Sequence, residues 1–125
     1  MYLKRIVFII VILAVPFTVH ADCDNPRDDF DGLYCLNKIY IQADKDLNTA
    51  YQKLQKQLDG EGKDLLKKSQ IRWIESRNSE CSYRNENGFF VNLKCAAETT
   101  IERTNFLNDR YRECMSSGCL KSKLK

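Results

Sequence analysis

Ala43-Asp44-Lys45-Asp46-Leu47-Asn48-Thr49-Ala50-Tyr51-Gln52-Lys53-Leu54-Gln55-Lys56-Gln57-Leu58-Asp59-Gly60 is the stretch that decides the fold. Ala43, Leu47, Ala50, Tyr51, Leu54 and Leu58 return every three or four positions, which stacks them on one face of an α-helix. Leu36 and Ile39 carry the stripe upstream, so the spacing predicts a helix over about 32–58, with Asp59-Gly60 as its stop and the glycine suited to a C-cap. A second helix is expected over about 63–82, with Leu66, Trp73 and Ile74 inward. Arg84-Asn85-Glu86-Asn87-Gly88 reads as a turn by composition. A third helix follows over about 92–114, with Asn92 as N-cap and Leu93, Ala96, Ala97, Thr100, Phe106, Leu107 and Tyr111 as its apolar side. No alternating run is long enough for a sheet, and Pro16 and Pro26, the only prolines, precede the helices. The expected fold is all-α, a small disulfide-stapled three-helix bundle with short connections.

Before the bundle stands a leader. Lys4 and Arg5 give a positive start, Ile6 to Val15 is unbroken apolar chain, and Pro16 ends it. Val19 and Ala21 place small residues where a signal peptidase reads. Residues 1–21 are therefore read as a signal peptide, 22–114 as the helical domain and 115–125 as a short basic C-terminal tail. The apolar stretch Ile6 to Val19 is 14 residues, short of the roughly 20 that span a membrane. Asp22, directly before Cys23, does not suit lipid attachment. No membrane span is expected after cleavage, and the location is periplasmic or secreted.

Loss of Lys4 and Arg5 brings the 20 basic residues to 18 against 17 acidic, a net charge of +1 that gives no reason for a nucleic-acid partner. Asp22, Asp24, Asp28, Asp29 and Asp31 make the start acidic, and Lys121, Lys123 and Lys125 make the end basic; both ends are expected to be solvated. All six cysteines follow the leader, so disulfides are their expected use. Six cysteines allow 15 pairings. Local spacing favours Cys23–Cys35, Cys81–Cys95 and Cys114–Cys119, and a diagonal pair such as Cys35–Cys95 stays open.

The one histidine, His20, departs with the leader, which removes every mechanism that needs imidazole, His-ligated zinc among them. The four residues between Cys114 and Cys119 fit a structural loop better than a redox motif. Paired carboxylates for a glycosidase would need a cleft that a small bundle does not offer. The chain is read as no enzyme, with no cofactor and no metal.

Polar side chains recur on faces that should be buried. Asp44, Leu47, Asn48 and Tyr51 share one face of the first helix. Leu66, Gln70, Trp73, Arg77 and Cys81 form one stripe on the second, and Cys95, Thr99, Arg103, Phe106 and Leu107 do so on the third. A buried Arg or Asn is costly unless paired. A hydrogen-bonded network among Asp44, Asn48, Gln70, Arg77 and Arg103, with Trp73 beside it, is expected to fix helix register; a carboxylate-binding role for Arg77 or Arg103 is the functional counterpart.

The same residues carry a family resemblance. Asp44 to Leu54 is similar to the D-x-x-L-N-x-x-Y-x-x-L segment of the LprI-like lysozyme inhibitor domain. Gln70 to Cys81 resembles that family's Q-x-x-W-x-x-x-R-x-x-x-C segment, and Cys95, Thr99, Arg103 and Leu107 match its C-x-x-x-T-x-x-R-x-x-x-L segment. Cys23 and Cys35 stand where the family has its early cysteines, so the resemblance covers about residues 23–107. It implies a secreted or envelope helical domain, with lysozyme as protein partner. Animal lysozymes are basic and work with two carboxylates in a cleft. An inhibitor needs a group that fills that cleft and some acidic surface to steer the encounter. Asp28, Asp29 and Asp31 offer the second; Phe89 and Phe90, in a loop held by Cys81 and Cys95, offer the first unless they pack as a lid over the bundle end. The alternative is a periplasmic or secreted binding module for another target.

Overall fold

A computed structural model describes residues 23–125. The leader and Asp22 lie outside the described residues. Three helices, α1 (Asp29–Gln57), α2 (Gly60–Cys81) and α3 (Leu93–Ser117), make up most of the fold. Between α2 and α3 the chain forms a two-stranded antiparallel hairpin, β1 (Ser82–Asn85) and β2 (Gly88–Val91). A short 3₁₀ turn, Lys121–Lys123, follows α3.

Each boundary has a local cause. Asp28 caps α1, its carboxylate accepting from the Asp31 N–H, and Asn92 caps α3 by accepting from Cys95. Asp59-Gly60 does break the chain, but with different roles from those expected. α1 ends on an extended Leu58, Asp59 is the N-cap of α2 with its side chain accepting from the Gly62 N–H, and Gly60 opens α2. The corner is therefore only two residues long. Gly62 suits this corner, because a Cβ there would stand 3.1 Å from Cβ of Leu58 and from Oδ1 of Asp59, a tight contact.

The hairpin is the part the alternation of residues did not announce. Asn85 faces Gly88, Arg84 faces Phe89, Tyr83 faces Phe90 and Ser82 faces Val91. Among the described residues no non-glycine has positive φ, so Glu86-Asn87 is not a primed turn; Gly88 at φ 140° takes up the mismatch. Oδ1 of Asn85 accepts from the Asn87 N–H at 2.9 Å and holds the bend.

α3 packs along α1 and more lightly on α2, while α1 and α2 touch each other least. Small buried residues, Ala43 and Ala50 on α1 and Ala96, Ala97, Thr100 and Thr104 on α3, line that pairing and suit the close end of the roughly 8–10 Å range of helix separations. The threonine hydroxyls cost nothing there, since Thr100 donates to the Ala96 carbonyl and Thr104 to that of Thr100. The apolar core gathers at the corner end: Leu47, Ala50, Leu54 and Leu58 from α1, Leu66 from α2, Leu107 from α3, and Leu124 from the tail.

The tail departs from expectation. α3 continues past Cys114 to Ser117, and the chain then folds back instead of trailing into solvent. Leu124 is 1% exposed. Lys121 bonds the carboxylates of Asp59 at 2.8 Å and Glu61 at 2.6 Å, and Lys123 reaches Glu113. The hydrogen bond from Lys121 holds Asp59 below the usual carboxylate range, and the same contact raises Lys121. Three cystines join near neighbours in sequence: Cys23–Cys35, Cys81–Cys95 and Cys114–Cys119. The diagonal pair does not form.

Candidate functional site

The α2 stripe turns its polar members toward α3, where arginines meet aromatic rings. Arg103 is 9% exposed; its Nε donates to Oε1 of Gln70 at 3.0 Å and its Nη2 to Oγ of Ser69 at 2.9 Å. The guanidinium lies 4.6 Å from the Phe106 ring centre and 5.8 Å from that of Trp73. Arg77 also lies over Trp73, and over Tyr40 of α1, at 5.1 and 5.8 Å, and its Nη1 donates to Thr100. Arg110 lies over Phe106 as well. A ladder thus crosses all three helices: Tyr40, Arg77, Trp73, Arg103, Phe106, Arg110. Ring faces supply the negative potential that a buried carboxylate would give only at a large desolvation cost. Burial, with some repulsion from Arg72, pushes Arg103 down to about 10, so it stays charged at neutral pH.

The expected five-residue network divides. Gln70, Arg77 and Arg103 gather around Trp73, but Asp44 and Asn48 do not reach them. Asn48 is exposed and donates only to Asp44, at 3.4 Å along α1. Ser69 and Tyr40, which the sequence did not single out, take their places.

At the other end from the core, the hairpin, the end of α2, the start of α3 and Tyr40 of α1 enclose an open cleft of about 320 Å³, lined by Tyr40, Arg77, Cys81, Phe89, Val91, Leu93 and Ala96. The register sorts the hairpin side chains by face. Ser82, Arg84, Phe89 and Val91 share the face that borders the cleft, with the Arg84 guanidinium 5.3 Å from the Phe89 ring centre. Tyr83 and Phe90 stack on the opposite face at 5.0 Å. Tyr83 is 62%, Phe89 57% and Phe90 40% exposed, so the aromatic pair Phe89 and Phe90 is not a lid packed over the bundle. Asn87-Gly88, flanked by aromatics, was the available signal for a hairpin. Cys81–Cys95 clamps its base, and the Asn92 N–H donates to the Cys81 carbonyl at 2.8 Å.

The acidic arm stands at this same end, tied to α1 by Cys23–Cys35. Two of its carboxylates have local work. Asp28 is the helix cap, and Asp31 accepts from Nε of Arg27 at 2.7 Å, a hydrogen bond that lowers the Asp31 pKa. Asp29 is exposed in the first turn. Around it Phe30, Leu33 and Tyr34 are exposed too. Among the described residues no cluster of His, Cys, Asp and Glu is placed to hold a metal ion, and no helix is long and apolar enough to cross a membrane. What this end can do is make contact: an apolar, aromatic surface with cationic and anionic points, held by two cystines.

A family model described as "Lysozyme inhibitor LprI" matches residues 23–107. That span takes in α1, α2, the hairpin and the start and middle of α3. No curated protein and no solved structure matches the chain.

Proposed function

The chain belongs to the LprI lysozyme inhibitor family, and from that premise we propose that it binds and inhibits lysozyme and so protects the bacterial cell wall. The observation that carries the reading is the family match over residues 23–107. The hairpin end is the contact surface, with Phe89 and Phe90 as apolar anchors. Exposed aromatics on a disulfide-clamped ribbon supply contact area at a low entropic cost of ordering, which is what interface hot spots require. The acidic first turn of α1, at Asp29, meets the basic surface of the enzyme and speeds the encounter. Asp28 and Asp31 add to that field while serving the helix start.

The chain acts as a secreted or periplasmic protein once its leader is removed. Three cystines suit an oxidising compartment. Its partner is a protein, and it blocks a reaction instead of performing one. The Gln70–Trp73–Arg77–Arg103 assembly fixes how α2 sits on α3 and sets the direction in which the hairpin leaves the bundle. The test is the clearing of peptidoglycan cells by an animal lysozyme, with and without the oxidised chain. Dose-dependent protection that disappears on reduction is expected. Cells cleared at full rate under a large molar excess of the chain would end the inhibitor reading, and co-purification of one other protein would replace it with a binding module for that target.

A further inference from the structure

We propose that Arg84, laid against Phe89 near the tip of the hairpin, enters the substrate cleft of lysozyme and bridges its two carboxylates. The inference rests on the inhibitor reading and goes beyond it by naming the contact and its chemistry.

The geometry of the ribbon fits the task. Each strand is four residues long, so the hairpin reaches roughly 13 Å from its clamped base, and its two strands are about 5 Å apart. A narrow ribbon of this kind can enter a groove shaped for a single polysaccharide chain. Arg84 and Phe89 are the second cross-strand pair from the turn, behind Asn85 and Gly88, and both side chains leave on one face. The ring holds the guanidinium in place at 5.3 Å and so removes part of the entropy otherwise lost on docking.

Charge decides which arginine is available. Arg84 is exposed and forms no salt bridge among the described residues. Arg77, in the lining of the cleft, is already engaged by Tyr40, Trp73, Asn78 and Thr100. Lys94, at the start of α3, faces Glu98. The target offers the complement: two carboxylates about 5–5.5 Å apart in a retaining glycosidase. One planar guanidinium with five N–H donors can serve both. Net charge cannot draw the partners together, since the chain without its leader is near neutral and the enzyme is basic. A local cation matched to the one acidic site of a basic protein resolves that difficulty. Phe89 beside it covers the sugar-binding wall on one side of the groove, and Phe90, stacked on Tyr83 on the opposite face of the ribbon, meets the other side.

The test compares lysozyme inhibition by the full oxidised chain with that by Arg84→Gln, Arg84→Lys and Glu86→Gln. Arg84→Gln is expected to weaken inhibition about thirtyfold, the mark of an interface hot spot, with thermal unfolding unchanged. Arg84→Lys should recover part of the loss, and Glu86→Gln, in the turn, should leave inhibition unchanged or tighten it. A saturating chito-oligosaccharide in the lysozyme cleft should displace the wild-type chain. Inhibition by Arg84→Gln equal to wild type, or binding that survives the oligosaccharide, would overturn the proposal. A wild-type chain that does not inhibit at all removes the parent reading, and this one with it.

Discussion

Arg103 shows how this chain handles a polar residue in its interior. Its guanidinium finds acceptors in Gln70 and Ser69 and ring faces in Trp73 and Phe106, and among the described residues no carboxylate pairs with it. Cutting it to alanine strands two buried polar atoms, at about 1–3 kcal/mol, and forfeits the ring contacts. Arg103→Ala is therefore expected to lower unfolding stability by about 3 kcal/mol in urea titration. Replacing Gln70 by leucine in the same chain should restore part of it, because the stranded acceptor is gone; equal losses in the single and double variants would show that the contact is not the cause. Leu124 makes the opposite point. One leucine among lysines looks like solvated tail, yet it is 1% exposed in the core. Leu124→Ala should cost about 2–3 kcal/mol, where a solvated tail would lose almost nothing.

Among the elements, the hairpin depends most on a covalent tie. Its two strands of four residues cannot hold together alone in water, and the Cys81–Cys95 bond closes a loop of 14 residues around them. The paired variant Cys81→Ser with Cys95→Ser should lose about 3 kcal/mol of stability. It should also lose the cross-strand NMR contacts between Tyr83 and Phe90 while its helical circular dichroism persists. Legibility in the sequence divides along the same line. The three helices were readable because Leu47, Ala50, Leu54 and Leu58, and the stripes that follow, repeat at helical spacing over many turns. The hairpin was not, because four-residue strands with aromatics on both faces give no alternation of polar and apolar. The Asp59-Gly60 break was readable, but its capping roles were not, since a two-residue corner makes the stop of one helix the start of the next. Phe89 and Phe90 were visible as an apolar loop. That they face opposite ways, and that Arg84 shares a face with Phe89, follows only from strand register. Asp44 and Asn48 looked inward by spacing, yet the close α1–α3 pairing turns Ala43, Leu47 and Ala50 in and leaves Asn48 outside.

For the molecule as a whole, the two ends divide the labour. The corner end holds the leucine core, sealed by the returning tail and the Lys121 clasp on Asp59 and Glu61. The hairpin end spends little of its apolar surface on folding and presents it to solvent, between an acidic helix start and a ribbon that carries Arg84. Between them the arginine–aromatic ladder links α2 to α3. In the proposed function this exposed end, kept in shape by its cystine, stops lysozyme. The most direct measurement is the rate at which an animal lysozyme clears peptidoglycan cells in the presence of the oxidised chain or of its paired Cys81→Ser, Cys95→Ser variant. Dose-dependent protection by the first and loss of protection by the second, with both still helical, are the expected results. Equal protection by the two, or none by either at large molar excess, would contradict the proposed function.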